Sequence, residues 1–231
     1  MLAKFYDHYW REPDLYGMED LSHDIWTMRR VRMFLDCIPA EQHIADIGCG
    51  TGGGAQLMRN VGHTVTGIDI SPAAIEEARR RHPDISFLCC SLEDGCPLSD
   101  CTFDAAFCGE VIEHIYDVPK FLVELHRLLR PSGILGVTTP YHGLVKNLLI
   151  ALFRFDKHFD PCGPHIRFFT VRSLKYSLEQ ASFRVERVGL HGRTPPISNG
   201  MFVLATVSHR QSLLAAGFLH AHLYRCAYQP G

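Results

Sequence analysis

The chain has 231 residues, 46% hydrophobic and 21% charged, with a formal charge of -2 and a pI near 6.7. That length holds one sizeable domain with a full core, and the balanced charge gives no electrostatic case for binding nucleic acid or an anionic membrane surface. Nine cysteines without a CxxC pair read as reduced thiols of a cytoplasmic protein, the N-terminus lacks the apolar core of a signal peptide, and no apolar run is long enough to span a bilayer.

Leu21–Cys37 carries apolar residues at helical spacing and stops before Pro39, so a helix is expected there, with Arg29, Arg30 and Arg32 on its solvated face. His43–Ile47 reads as a short buried strand and Gly53–Val61 as a helix that starts in a glycine-rich loop. His63–Ile70 is β-branched and extended. Ser71-Pro72 supplies an N-cap followed by proline at the first helical position, which starts a helix running to about His82. Ile85–Cys89 and Phe103–Cys108 are the next strands. A helix follows over Val118–Leu129, ended by Pro131-Ser132-Gly133, and then a fifth strand over Ile134–Thr139. Val171–Ala181 is a helix, Phe183–Leu190 and Met201–Val207 are strands, and Gln211–Arg225 has the pattern of a terminal helix. Strands that alternate with helices build a mostly parallel, doubly wound sheet, and the last two strands, with no helix between them, must pair antiparallel. The expected fold is therefore α/β and Rossmann-like: one domain over residues 1–231 with seven strands and an antiparallel edge. Helical cap segments complete it, an N-terminal lid over 1–38 and an insertion over 141–170.

The stretch IADIGCGTGGG, Ile44 to Gly54, ends a strand in an acid and opens into five glycines. In an open α/β sheet ligands bind beyond the carboxyl ends of the strands, and glycines there let the backbone approach them closely. Asp69 ends the second strand, where a carboxylate can accept hydrogen bonds from both hydroxyls of a ribose. Asp46 separates two kinds of nucleoside ligand. A dinucleotide would set its diphosphate over the loop and be repelled by this carboxylate, whereas a cationic amine without phosphate would be attracted.

Four stretches in order, IADIGCGTG, GIDISPAAIEEAR, FDAAFCGEVIEHIYD and LLRPSGILGVTTP, resemble the successive motifs of class I S-adenosylmethionine-dependent methyltransferases over about Ala40–Pro140. The resemblance implies S-adenosylmethionine as cofactor. It implies that Asp46, Gly48, Cys49, Gly50 and Gly52 hold the amino-acid end, and that Asp69 and Ile70 hold the ribose. Ser91, Leu92 and Glu93 would hold the adenine, and Cys108, at the end of the fourth strand, would also bind the cofactor. Ser91 departs from the family, which often has Asp there.

After the fourth strand, Glu110, Glu113 and His114 stand at i, i+3 and i+4, so one helical turn would put two carboxylates and an imidazole on one face. Mixed oxygen and nitrogen donors of this kind suit a divalent metal, with Mg, Mn, Fe or Zn as candidates. The run resembles ubiquinone-biosynthesis O-methyltransferases, and also small-RNA 2′-O-methyltransferases, in which the fourth ligand would be His165 of GPHIRFFT. By that resemblance Glu113 and His114 also serve catalysis. Without a metal, His114 is the candidate base for an acceptor hydroxyl. Tyr6, Tyr9 and Trp10 are expected as an aromatic lid. Leu144, Leu148, Leu149 and Leu152, beside Phe153 and Phe155, are expected to overhang the methyl, which favours an aromatic or prenylated small-molecule acceptor. Competing readings are methylation of carbon or nitrogen, an RNA 2′-O-methyltransferase, for which the chain lacks a basic stripe, and a nicotinamide oxidoreductase, which Asp46 disfavours.

Overall fold

The computed structural model describes residues 2–11, 25–159, 163–194 and 197–208. Helix α1 (Leu2–Arg11) and α2 (Ile25–Leu35) precede the first strand. Then come β1 (His43–Ile47), α3 (Gly53–Asn60), β2 (Thr64–Asp69), α4 (Pro72–Arg81), β3 (Ser86–Cys89) and β4 (Phe103–Gly109). A single 3-10 turn over Ile112–His114 leads to α5 (Val118–Leu128) and β5 (Leu129–Pro140). The insertion forms α6 (Leu144–Phe153) and α7 (Phe155–His158), and the described chain closes with α8 (Val171–Gln180), β6 (Phe183–His191) and β7 (Gly200–Val207). The expected terminal helix over 211–225, and residues 21–24 of the first expected helix, lie outside the described residues.

The seven strands lie in the order β3-β2-β1-β4-β5-β7-β6. The first five are parallel, and β7 runs antiparallel between β5 and β6. The order reverses between β1 and β4, which opens a crevice at their carboxyl ends. Each sheet face is covered by its own apolar layer. On one side Phe34 of α2, fully buried, lies across Phe107 of β4 at 5.2 Å between ring centroids. Gly136 of β5 permits this, since a Cβ there would sit 2.4 Å from the Phe34 ring. On the other side Phe121, Leu122 and Leu125 of α5 pack with Leu174 and Leu178 of α8. Burying one such side chain contributes roughly 1.5–3 kcal/mol.

The N-cap expected at Ser71 is present, its Oγ accepting from the Ala74 N–H at 3.2 Å ahead of Pro72. β5 begins earlier than its composition suggests. Leu129 pairs with Phe103, the register then shifts, and Ser132 takes a left-handed φ of 63° to carry the strand past Pro131. The proline and glycine that read as a loop are thus an irregular first section of a strand at the edge of the parallel ladder.

Candidate active site

At the end of β1 the chain turns through Gly48, Gly50 and Gly52, all with left-handed φ (69°, 52° and 88°). A Cβ at Gly48 would lie 2.3 Å from the Val111 side chain, so that position tolerates only glycine on both grounds. Asp46 is buried beneath the first turn of α3 and its Oδ2 has no hydrogen-bond partner among the described residues. Burial and the nearby charge of Asp69 push its pKa up to about 7, against the opposing pull of the Ala55 N–H. Asp69 is held from both sides: the Gly50 N–H donates to Oδ2 at 3.0 Å and the Ser71 N–H to Oδ1 at 2.8 Å. Burial raises its pKa and these amides oppose the rise.

These residues line a cavity of about 420 Å³. Cys49, Ile70, Ser91, Leu92 and Glu93 reach its wall as well, although Glu93 also accepts a hydrogen bond from the Asp117 N–H at 2.6 Å. Two expected cofactor residues are absent from the wall. Cys108 is fully buried in the sheet behind it, and Gly52 serves the turn, its missing Cβ making room for His82 and Phe87. Tyr6, Tyr9 and Trp10 of α1 close one side, with the Trp10 ring directly over Gly50. Thr27 and Arg30 of α2 also line it. Arg30 is therefore not on a solvated helix face. No local sequence feature marks it, because only the packing of α2 turns it inward.

Glu113, His114 and His165 come together, one ligand atom from each lying within 4.8 Å of the other two. Glu113 is almost wholly buried; its Oε2 accepts from Thr139 Oγ1 at 2.9 Å and its Oε1 has no hydrogen bond. Burial, followed by the charge of Glu110, raises its pKa. The Ile166 and Arg167 N–H groups both donate to the Glu113 carbonyl at 3.0 Å, which brings the His165 loop against the turn. His114 Nδ1 lies 2.9 Å from the Pro164 carbonyl, which can only accept, so the neutral ring carries its proton on Nδ1 and leaves the Nε2 lone pair open. Desolvation lowers its pKa to about 4, the Pro164 carbonyl working against this. The Pro164 carbonyl thus orients the imidazole.

Glu110 stands apart from this group. Its backbone is left-handed at φ 56°, and its Oε2 lies 3.7 Å from the Arg30 guanidinium. A 3-10 turn that starts only at Ile112 cannot place it on the face shared by Glu113 and His114. The insertion also differs from expectation. Among the described residues of 141–170 only Pro164 lines the cavity, and the leucines of α6 face solvent. His142, Lys146 and His158 do not line it either; the Lys146 ammonium donates to the Tyr141 and Asn199 carbonyls.

Residues 45–137 match the methyltransferase domain family. Over 149 residues, 64% of this chain and 54% of its relative, the sequence is 33% identical to a protein of Mycolicibacterium smegmatis named a probable S-adenosylmethionine-dependent methyltransferase. Over 129 residues, 53% of this chain and 47% of its relative, it is 36% identical to the mitochondrial ubiquinone biosynthesis O-methyltransferase of Schizosaccharomyces pombe. The chain thus spans about half the length of these relatives. The fold superposes on a SAM-dependent methyltransferase from Thermotoga maritima with a TM-score of 0.69 at 21% identity, covering 87% of this chain and 98% of that one. The motifs, the sheet order and the glycine turn agree with this match: residues 45–137 are a methyltransferase domain of the kind found in class I S-adenosylmethionine-dependent enzymes.

Proposed function

We propose that this chain transfers the methyl group of S-adenosylmethionine to a hydroxyl oxygen of a small aromatic or apolar acceptor, assisted by a divalent metal at Glu113, His114 and His165. One observation carries the reading: His114 lines the cavity formed by the glycine turn and its two buried acids and also belongs to the cluster with Glu113 and His165, neither of which lines that cavity. The cofactor fits the residues present. Asp46 keeps a buried oxygen without a partner, the kind of acceptor that a cationic amine completes, and Asp69 is preorganised at the end of β2 for a ribose. A metal fits as well, since Glu113 Oε1 is buried without a hydrogen bond and His114 Nε2 offers a lone pair.

When bound, the sulfonium supplies an already activated methyl and a divalent ion makes a hydroxyl more acidic. The chain's own part is placement and proton handling. Thr139 and Pro164 hold Glu113 and His114 in fixed orientations, which reduces the entropy lost in aligning the acceptor. Desolvation keeps the His114 imidazole neutral near neutral pH, so its open Nε2 can accept the hydroxyl proton or offer its lone pair to a metal, while burial raises the Glu113 carboxyl and disfavours it as a free base. Tyr6, Tyr9, Trp10, Val31, Ile115 and Phe121 supply the apolar wall that favours an aromatic or prenylated acceptor. The likeness to a ubiquinone O-methyltransferase supports the same class.

Turnover of labelled S-adenosylmethionine on a panel of phenols and hydroquinones tests this. Glu113→Gln and His165→Ala should each lower kcat by about a hundredfold while cofactor affinity stays the same. A chelator should abolish wild-type turnover, and added Mg, Mn or Zn should restore it. Full activity in chelator would remove the metal from the scheme, and a product methylated on carbon or nitrogen would refute the hydroxyl acceptor.

A further inference from the structure

Helix α6 reads LVKNLLIALF, and none of its ten residues is buried. Leu144 is 85% exposed and Phe153 77%. Leu148, Leu149 and Leu152 on the same helix and Phe155 on α7 are exposed too. Just after it in the chain stands an aromatic cluster, Phe155 to Phe159 to Phe168, with ring centroids 5.2 and 5.1 Å apart. Soluble domains rarely leave so large an apolar face in water, and such a face marks a site of contact.

The helix is anchored rigidly, so this exposure is not that of a loose end. Lys146 Nζ donates to the Tyr141 carbonyl at 2.7 Å and the Asn199 carbonyl at 3.2 Å, and the His142 N–H donates to the Phe169 carbonyl at 2.9 Å. Because α6 follows the carboxyl end of β5, it stands at the same end of the sheet as the cavity. At ten residues it is about 15 Å long, half of what a membrane span requires, and among the described residues no helix is long and apolar enough to cross a bilayer.

Charge identifies the partner. Although the whole chain is at -2, residues 141–170 carry Lys146, Arg154, Lys157 and Arg167 against only Asp156 and Asp160. Arg154 is exposed at the end of α6, and exposed Arg193 acts electrostatically on Lys146. Apolar side chains flanked by the exposed Arg154 and Arg193 suit an anionic lipid surface, where the leucines enter the acyl boundary and the basic groups meet the head groups.

We propose that α6 and the aromatic residues beside it dock this protein in the plane of an anionic bilayer, with the cavity mouth toward the lipid. The docking stands independently of the methyl acceptor, although a bilayer is where an apolar acceptor would dissolve. The test is sedimentation of the full chain with vesicles of phosphatidylcholine, with and without phosphatidylglycerol. Wild type should pellet with the mixed vesicles, less so at high salt. Leu148→Glu with Leu152→Glu, or Phe153→Glu alone, should lower the bound fraction by about tenfold or more. Their melting and their S-adenosylmethionine affinity by calorimetry should not change, a readout separate from turnover. Wild type that stays in the supernatant with both vesicles, or variants that pellet as it does, would overturn the proposal. So would light scattering that shows a wild-type dimer split by these substitutions, since the face would then belong to a second copy.

Discussion

Asp46 and Asp69 end adjacent strands, both nearly sealed from water, yet their circumstances differ. Asp69 has a backbone N–H on each oxygen, which fixes its carboxylate in place. Asp46 keeps one oxygen without a partner, and burial holds its pKa up at about 7. A cationic ligand amine favours the ionised form, so cofactor binding should tighten as the pH rises from about 6 to about 7.5, while Asp46 gives up its proton. Asp46→Asn should flatten that dependence and weaken binding by about tenfold, the equivalent of one pKa unit. Asp69→Ala should cost about a hundredfold in affinity, because it also strips the Gly50 and Ser71 amides of their acceptor. Calorimetry across this pH range checks both, and an Asp69→Ala protein of normal affinity would displace the cofactor from this end of the cavity.

Helix α1 docks on α4 through Asp7, whose Oδ1 accepts from the Ala73 N–H at 3.1 Å at the start of that helix and whose Oδ2 accepts from Arg11 at 3.0 Å. A carboxylate at a helix N-terminus is favourably placed, but a surface contact of this kind contributes little to global stability. Asp7→Ala should therefore leave the urea midpoint almost unchanged, as loss of a surface contact does. It should nonetheless free the aromatic lid: Trp10 fluorescence, read in a Trp26→Phe background, should become more accessible to a soluble quencher, and cofactor affinity should fall several-fold. A variant with unchanged quenching would show that Tyr6, Tyr9 and Trp10 hold α1 in place by themselves.

For the molecule as a whole, histidine burial sets the response to acid. His63, His114, His126, His142, His158, His165 and His191 all have pKa values lowered by desolvation. His142, at about 4, is among the most affected. The unfolded chain takes up these protons near pH 6.5 and the fold refuses them, so it binds fewer protons and stability is lost as pH falls from about 6.5 toward 4. Asp46, Asp69 and Glu113, with pKa values raised by burial, oppose this trend. The urea midpoint should drop between about pH 7 and pH 5, and His142→Gln should reduce the drop by removing its largest single-site contribution away from the cluster at Glu113. An unchanged pH slope in that variant would place the acid sensitivity elsewhere.

Strand ends, helix starts and the glycine turn were legible in the sequence because they rest on local physics. A β-branched run, a Ser-Pro cap and a left-handed glycine need only their neighbours, and Asp46, Asp69, Gly48 and Gly50 fall at the cavity as their strand positions imply. What the local pattern could not decide was the direction of side chains whose partners lie far along the chain. Helical spacing put Glu110 with Glu113 and His114, yet a left-handed residue and Arg30 of α2, eighty residues earlier, draw it away. The same spacing put the leucines of α6 over the methyl, where tertiary packing turns them to solvent. Periodicity reports that a face is apolar. Only the arrangement of the whole sheet determines whether that face meets a core, a ligand or a surface outside the molecule, because burial is a property of neighbours and not of sequence spacing.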